Sequence, residues 1–251
     1  MPLKVFALPT TLSLLMLVSC AHPPTALNSK MPPLESTIAK KQNASWAASW
    51  WQMRHNKKLE QAKNSKVDIL LLGDSLTHGW EDAGREEIWQ QYYPLLTHFN
   101  IGFSGDRTEH VLWRLQHGAV DNIQAKVTVL LIGTNNTGHR MDPAQHTALG
   151  VKAIINELRV RMPQTKILLL AIFPRERSPF NDMRKRNEDI NQLISALSDE
   201  ESIFYLDISQ QFLNNKKYLT SDVMPDLLHP NNRGYQVWAK SMRTQLLRLL
   251  N

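Results

Sequence analysis

Five short apolar runs punctuate the chain, at 67–72, 97–101, 126–132, 166–172 and 203–207. They are rich in Val, Ile and Leu and mostly lack polar alternation, the pattern of strands buried on both faces. Between them the apolar period lengthens to that of a helix. Asp142-Pro143 reads as an N-cap with a first-turn proline, and the helix after it sets Val151, Ile154, Ile155, Leu158 and Met162 on one face. The last helix, after Asn231, does the same with Tyr235, Trp238, Met242 and Leu249. A further helix is expected at about 37–64, where Trp46, Trp50 and Met53 fall at i, i+4 and i+7 and read as packing residues. Trp113 reads as core in a helical stretch. Strands alternating with helices, without internal repeat, imply one doubly wound α/β domain around a parallel sheet.

The 251 residues, 42% hydrophobic and 21% charged, suffice for one such domain with a full core. A net charge of +6 without a Lys/Arg run interleaved with aromatics gives no reason to expect nucleic acid as a partner. The N-terminus differs from the rest. Lys4 is the one charge in residues 1–19, and the apolar stretch from Val5 to Val18 is shorter than the roughly 20 residues that span a bilayer. That is the pattern of a secretory signal. It ends Leu17-Val18-Ser19-Cys20, which resembles the lipobox of bacterial lipoproteins. The resemblance implies cleavage after Ser19, lipidation of Cys20 and an envelope location, at the outer membrane if the organism is Gram-negative. Cys20 is the only cysteine, which excludes an internal disulfide framework and a Cys-based zinc cluster. Residues 20–36, with Pro23, Pro24, Pro32 and Pro33, read as a stiff tether. The domain is expected over 37–251.

In an open parallel sheet, ligands bind at the carboxyl ends of the strands. Gly73-Asp74-Ser75 follows the first run, Gly102-Phe103-Ser104-Gly105-Asp106 the second and Gly133-Thr134-Asn135-Asn136 the third. Asp226-Leu227-Leu228-His229 precedes the last helix. Each alone is a common turn; together they converge on one sheet edge. Serine-dependent acyl transfer fits them. A serine hydroxyl needs a base, and an imidazole oriented by a carboxylate supplies one. Asp226 and His229 are close enough for one turn to present both, opposite Ser75. The backbone amides of Ser75 and Gly105 and the side-chain amide of Asn135 would hold the oxyanion. Trp80 and Phe103 read either as acyl-pocket lining or as core. His78, His110, His117 and His139 read as surface or loop residues, with a substrate contact open for His78 or His139. Arg175 and Arg177 read as a solvated loop, with a contact to a polar substrate left open. Neither a metal-ligand spacing nor a phosphate-cradling loop is present, so no cofactor is expected.

These blocks resemble the SGNH, or GDSL, hydrolases, whose fold is three-layered and flavodoxin-like. The resemblance is nearest to the catalytic subunits of intracellular platelet-activating-factor acetylhydrolase and bacterial acetylesterase relatives. It rests on Gly73-Asp-Ser-Leu76, the segment Asn100–Leu115, Gly133-Thr-Asn-Asn136, Phe173-Pro-Arg175 and Asp226-x-x-His229. The third block departs from the common Gly-x-Asn-Asp, as it does in the acetylhydrolase branch. The resemblance implies Ser75 as nucleophile, His229 as base, Asp226 as its orienting carboxylate, and Ser75, Gly105 and Asn135 as oxyanion donors. The expected function is a lipid-anchored hydrolase of short acyl esters, acetyl foremost, on a small molecule or polysaccharide. A phospholipid esterase and a silent ester- or glycan-binding lipoprotein are the alternatives.

Overall fold

A computed structural model of the chain describes residues 1–2, 34–63, 65 and 67–251. Cys20, with most of the expected leader and tether, lies outside the described residues. Among the described residues, no helix is long and apolar enough to cross a membrane. Residues Pro33–Asn251 form one compact unit.

The five apolar runs are strands: β1 Ile69–Gly73, β2 His98–Gly102, β3 Val127–Leu131, β4 Lys166–Leu170 and β5 Ile203–Leu206. They form one sheet in the order β2-β1-β3-β4-β5, every pair parallel. Among the described residues, eight α-helices accompany them: α1 Trp51–Ala62, α2 Ser75–His78, α3 Arg85–Tyr92, α4 Thr108–Gln116, α5 Thr134–Arg140, α6 Ala144–Arg161, α7 Asp182–Ser195 and α8 Asn232–Leu250. Alternation along β1 divides the core into two layers. Leu70 and Leu72 pack with α4, α6 and α7, while Ile69 and Leu71 pack with α3 and α8. The faces read for α6 and α8 are the buried ones, from Val151 and Ile154 to Trp238 and Met242. This is a doubly wound, three-layer α/β fold.

Register places the chemistry. Gly73 at the end of β1 lies opposite Gly102 on β2 and Leu131 on β3. The three segments that follow therefore leave the sheet at one level. The chain passes from β1 to β2 on one side and then to β3 on the other, so they open onto the topological switch point.

The N-terminal third needs correction. In place of one helix at 37–64 there are 3-10 turns at Glu35–Thr37 and Ser45–Ala47, then α1. Trp46 and Met53 are 49% and 66% exposed, so their helical spacing was coincidental; Gln42, Ala47, Trp51, His55 and Ala62 are the buried residues. The expected tether also ends early. Ser36 is buried, its Oγ donates to His146 O at 2.7 Å, and its carbonyl accepts from Thr108 Oγ1 at 2.9 Å. Pro143 is the N-cap of α6, one position later than expected.

Candidate active site

Gly73-Asp74-Ser75 forms a sharp strand-to-helix turn. A Cβ on Gly73 would collide with Leu131 O of β3 and with Thr77 Oγ1, so only glycine lets β1 end this close to its neighbour. Asp74 is the N-cap of α2, its Oδ1 accepting from Leu76 N at 3.0 Å. Ser75 is then the first residue of α2, half-buried at the sheet edge. The far side of α2 is pinned by Tyr235, whose Oη donates to Leu76 O at 2.6 Å.

Asp226 and His229 come from the loop before α8. Leu227 between them is left-handed, φ 62, which folds the loop tightly. Asp226 Oδ1 accepts from Leu228 N at 3.1 Å and from His229 N at 2.7 Å, while Oδ2 faces His229 Nδ1 at 2.6 Å. With Nδ1–H donated to the carboxylate, Nε2 is free to accept the Ser75 hydroxyl 2.9 Å away. Partial burial pushes the Asp226 carboxyl up, but its bonds from the His229 ring and from the loop amides hold it below the usual range. Both side chains remain about half exposed, 46% for His229 and 57% for Asp226.

The opposite side of the site is buried. Gly105, at φ +75, turns the loop after β2. Asn135 sits in the first turn of α5, 6% exposed, and one hydrogen of its Nδ2 goes to Asp106 O at 3.0 Å. Its other hydrogen is left for a ligand. Ser75 N and Gly105 N donate to no other group among the described residues. A hydroxyl, an imidazole and a carboxylate in line, at the sheet edge where the loops carrying the N–H donors of Gly105 and Asn135 also leave the strands, is the equipment of nucleophilic acyl transfer. Of the residues expected here, Ser75, His229 and Asp226 are in contact, and Asn135 bonds Asp106 O, next to Gly105 in the chain; Cys20, expected as the lipid anchor, lies outside the described residues.

A buried ion pair, missed in the sequence, supports this half. Asp106 and Arg114 are both fully buried, Arg114 Nε donating to Asp106 Oδ2 at 2.8 Å and Trp51 Nε1 to Oδ1 at 2.7 Å. Arg114 Nη1 also donates to Ile101 O at 2.9 Å and Nη2 to Gly73 O at 3.4 Å, tying the ends of β1 and β2 to the Gly105 loop. Burial raises Asp106 to about 6 against the opposing charge of Arg114, which leaves it ionised at neutral pH. The i, i+4, i+8 spacing of Asp106, His110 and Arg114 was the available signal. It marks a polar stripe facing inward that begins in the loop before α4 and continues along that helix.

Three further expectations change, for His110, Arg175 and Trp113, and the open reading of Trp80 and Phe103 is decided. His110 is fully buried rather than on the surface; its Nδ1 lies 3.2 Å from Gln42 Nε2 and accepts from Arg107 N at 3.1 Å. Arg175 is buried too, donating from Nη1 to Thr134 O at 2.9 Å, beneath the turn that carries Asn135; Arg177 is exposed as expected. Trp80 and Phe103 are core, 2% and 1% exposed, and line no part of the site. Trp113 is only half-buried, packed on Trp51 and stacked on His117. His78, in contrast, lines the depression over Ser75 together with Ser104, Asp82 and Arg85. That depression holds about 210 Å³. Burial and the nearby Arg54 charge lower His78 to about 4, so it is a neutral ring at the site, 3.0 Å from Ser104 Oγ.

The chain matches the GDSL-like Lipase/Acylhydrolase family model over residues 71–237. Human platelet-activating factor acetylhydrolase IB subunit alpha1 is 32% identical over 201 residues, 80% of this chain and 84% of that protein. The rat alpha2 subunit is 34% identical over the same length, 80% and 85% of the two chains. Among solved structures, a GDSL-like lipase from Bacteroides thetaiotaomicron superposes with a TM-score of 0.64 at 17% identity, covering 79% of this chain and 98% of that one. An acetylxylan esterase from Geobacillus stearothermophilus gives 0.59 at 18% identity, covering 76% and 96%. At such identities the solved structures speak for the fold alone.

Proposed function

The chain belongs to the GDSL-like lipase/acylhydrolase family, and on that premise we propose that it removes short acyl groups, acetyl foremost, from carbohydrate esters with Ser75 as nucleophile. The observation that carries this reading is the continuous line from Ser75 Oγ through the His229 ring to Asp226, at 2.9 and 2.6 Å. His229 Nε2 takes the hydroxyl proton as Ser75 Oγ bonds to the ester carbonyl carbon. The carbonyl oxygen becomes an oxyanion held by Ser75 N, Gly105 N and Asn135 Nδ2. His229 returns the proton to the departing alcohol, leaving an acyl-Ser75. Water, deprotonated by the same ring, then releases the acid and restores the hydroxyl.

The depression of about 210 Å³ supports a small acyl group, since drug-sized ligands occupy roughly 300–1,000 Å³. Its rim of His78, Ser104, Asp82 and Arg85 suits a polar alcohol portion. The name of the acetylxylan esterase with the same fold supports a carbohydrate ester, and those of the acetylhydrolase subunits support acetyl. The lipobox-like Leu17–Cys20 segment supports export and anchoring of the enzyme in the cell envelope through lipid on Cys20.

A chain-length series of p-nitrophenyl esters, followed by acetylated xylan and a 2-acetyl phospholipid, tests the substrate reading. Activity should peak at acetate and extend to the acetylated glycan. Preference for long acyl chains, or for the phospholipid over the glycan, overturns it. Cys20→Ser should move the protein from the detergent to the aqueous phase; native protein with a free thiol in the aqueous phase refutes the anchor.

A further inference from the structure

Beside the Ser75 depression lie two indoles that the acyl transfer does not use. Trp46 is 49% exposed, and its ring lies directly against Gly105, where a Cβ would meet it. Trp50 is half-buried, with its ring centroid 6.3 Å from that of Trp46 and 6.0 Å from that of His78. Trp46 in turn faces His139 edge-on at 6.4 Å. His78 lines the depression with Ser75, and His139 stands one helical turn beyond Asn135 on α5. The aromatic surface thus runs from the rim of the depression across the Gly105 loop to the helix that carries Asn135.

This surface is held rather than loose. Ala47 and Trp51, flanking the two indoles in sequence, are buried at 1% each. Trp50 Nε1 donates to Trp46 O at 3.2 Å, and Gln42 Nε2 reaches Gly105 O at 3.5 Å. A large apolar ring kept half in water at a fixed angle is preorganised for a partner. Polar groups border it: Ser104 Oγ, 3.0 Å from His78 Nδ1, and Arg107 Nη1, 3.4 Å from His139 Nδ1. An apolar face with a hydrogen-bonding border complements a pyranose ring, whose axial C–H bonds form an apolar face and whose hydroxyls lie around the edge.

Aromatic faces also attract quaternary ammonium groups. Arg107 is paired with Glu109, and Arg140 with Glu35, Glu109 and Asp142, so a choline ester is the competing alcohol portion that the test must separate from a neutral sugar.

We propose that Trp46 and Trp50 form the floor of a saccharide subsite, the sugar ring stacking on Trp46 while its acetyl group enters the depression over Ser75. This rests on the esterase reading above and specifies the substrate class of that site. Neither indole touches the reacting atoms; they select and position the alcohol portion.

The test compares kcat/KM of the full chain for acetylated xylo-oligosaccharides with that for p-nitrophenyl acetate and for a 2-acetyl glycerophosphocholine. Trp46→Ala should lower the oligosaccharide-to-p-nitrophenyl acetate ratio about tenfold, mainly through KM, as expected for one lost stacking contact. Trp50→Ala should lower it less, and Trp46→Phe, which keeps a ring on Gly105, should retain most of it. An equal fall for both substrates would mean that Trp46 only props the Gly105 loop, and would overturn the subsite. So would an unchanged ratio, or selective loss of the choline ester. Should the parent enzyme fail to hydrolyse p-nitrophenyl acetate at all, the esterase reading itself falls, a result distinct from a flat ratio in an active enzyme.

Discussion

Gly105→Ala is the sharpest probe of the buried half of the site. Two costs act together. At φ +75 an L-residue is disfavoured by about 1–2 kcal/mol. The new methyl would also meet the Trp46 indole, with two ring carbons at 2.8 and 2.9 Å and a third closer still. Overpacking of that kind costs about 1–3 kcal/mol. If the loop stays in place, stability falls by about 2–5 kcal/mol. If it shifts to relieve the contact, Gly105 N moves off the oxyanion and the rate falls by about 10²–10³ instead. The double variant Gly105→Ala/Trp46→Ala removes the steric part and keeps the backbone part, so the two changes should couple by about 1–3 kcal/mol. Urea unfolding followed by far-UV circular dichroism reads the stability, and kcat/KM on p-nitrophenyl acetate reads the loop. A Gly105→Ala protein with parental midpoint and parental rate would refute the placement of this loop. Strict additivity in the double variant would refute the Trp46 contact.

Ser75→Ala should abolish turnover with little change in unfolding midpoint, because only a half-buried hydroxyl is lost; an active variant disproves the nucleophile. Asn135→Ala should slow the reaction about 10²–10³-fold, measured as kcat on p-nitrophenyl acetate; a loss below tenfold would remove Asn135 from the oxyanion site. Asp226→Asn should reduce kcat by several orders of magnitude at neutral pH, since the amide neither stabilises the imidazolium nor fixes its tautomer; a parental rate would exclude the dyad. Asp74 makes a stability prediction. Burial raises its carboxyl to about 7 from 3.8, so the folded state holds the proton more tightly than the unfolded one. Its contribution is therefore fullest below about pH 4 and is lost as pH climbs through 7, on the order of 4 kcal/mol at the limit. Asp74→Asn, which keeps the cap to Leu76 N, should flatten the fall in urea midpoint between pH 5 and pH 8; an unchanged slope refutes the linkage.

The strands were legible because burial on both faces leaves little but Val, Ile and Leu, and all five fell within about two residues of where the apolar runs placed them. The site was legible for a related reason. Parallel strands ending in register put the residues that follow them on one edge, so short polar blocks after apolar runs already imply convergence. The N-terminal segment was misread because exposed indoles at helical spacing imitate a buried face. Trp46 sits in a 3-10 turn against Gly105, while Trp50 is the N-cap of α1 and faces His78 and Phe103. Arg175 was illegible for the opposite reason. Charged residues are read as solvated unless a partner is known, and its partner, Thr134 O, lies 41 residues away and becomes a neighbour only in the assembled fold, whereas Arg114 carried a local signal in its spacing from Asp106.

The two halves of the site are built from unlike materials, and the proposed reaction explains why. The oxyanion half is buried and cross-braced: Asn135 hangs from Asp106 O, Asp106 from Arg114 and Trp51, and Arg114 from the ends of β1 and β2. Donors aimed at a developing charge act best when they need not reorganise, so rigidity here is rate. The His229–Asp226 half is about half exposed and rests on a single loop, fixed by the left-handed Leu227 and by amides donating to Asp226. The imidazole must hand its proton first to the alcohol and then receive one from water, so it needs a solvent path that full burial would close. Damage should differ accordingly. Breaking the brace with Arg114→Met strands the Asp106 charge in the core and should cost about 3–5 kcal/mol of stability, as for a broken buried ion pair. Asp226→Asn should leave the urea midpoint within about 1 kcal/mol of the parent, as expected for exposed pairs, while the rate collapses. If the two variants lost stability alike, the division of the site into a structural half and a mobile-proton half would be wrong.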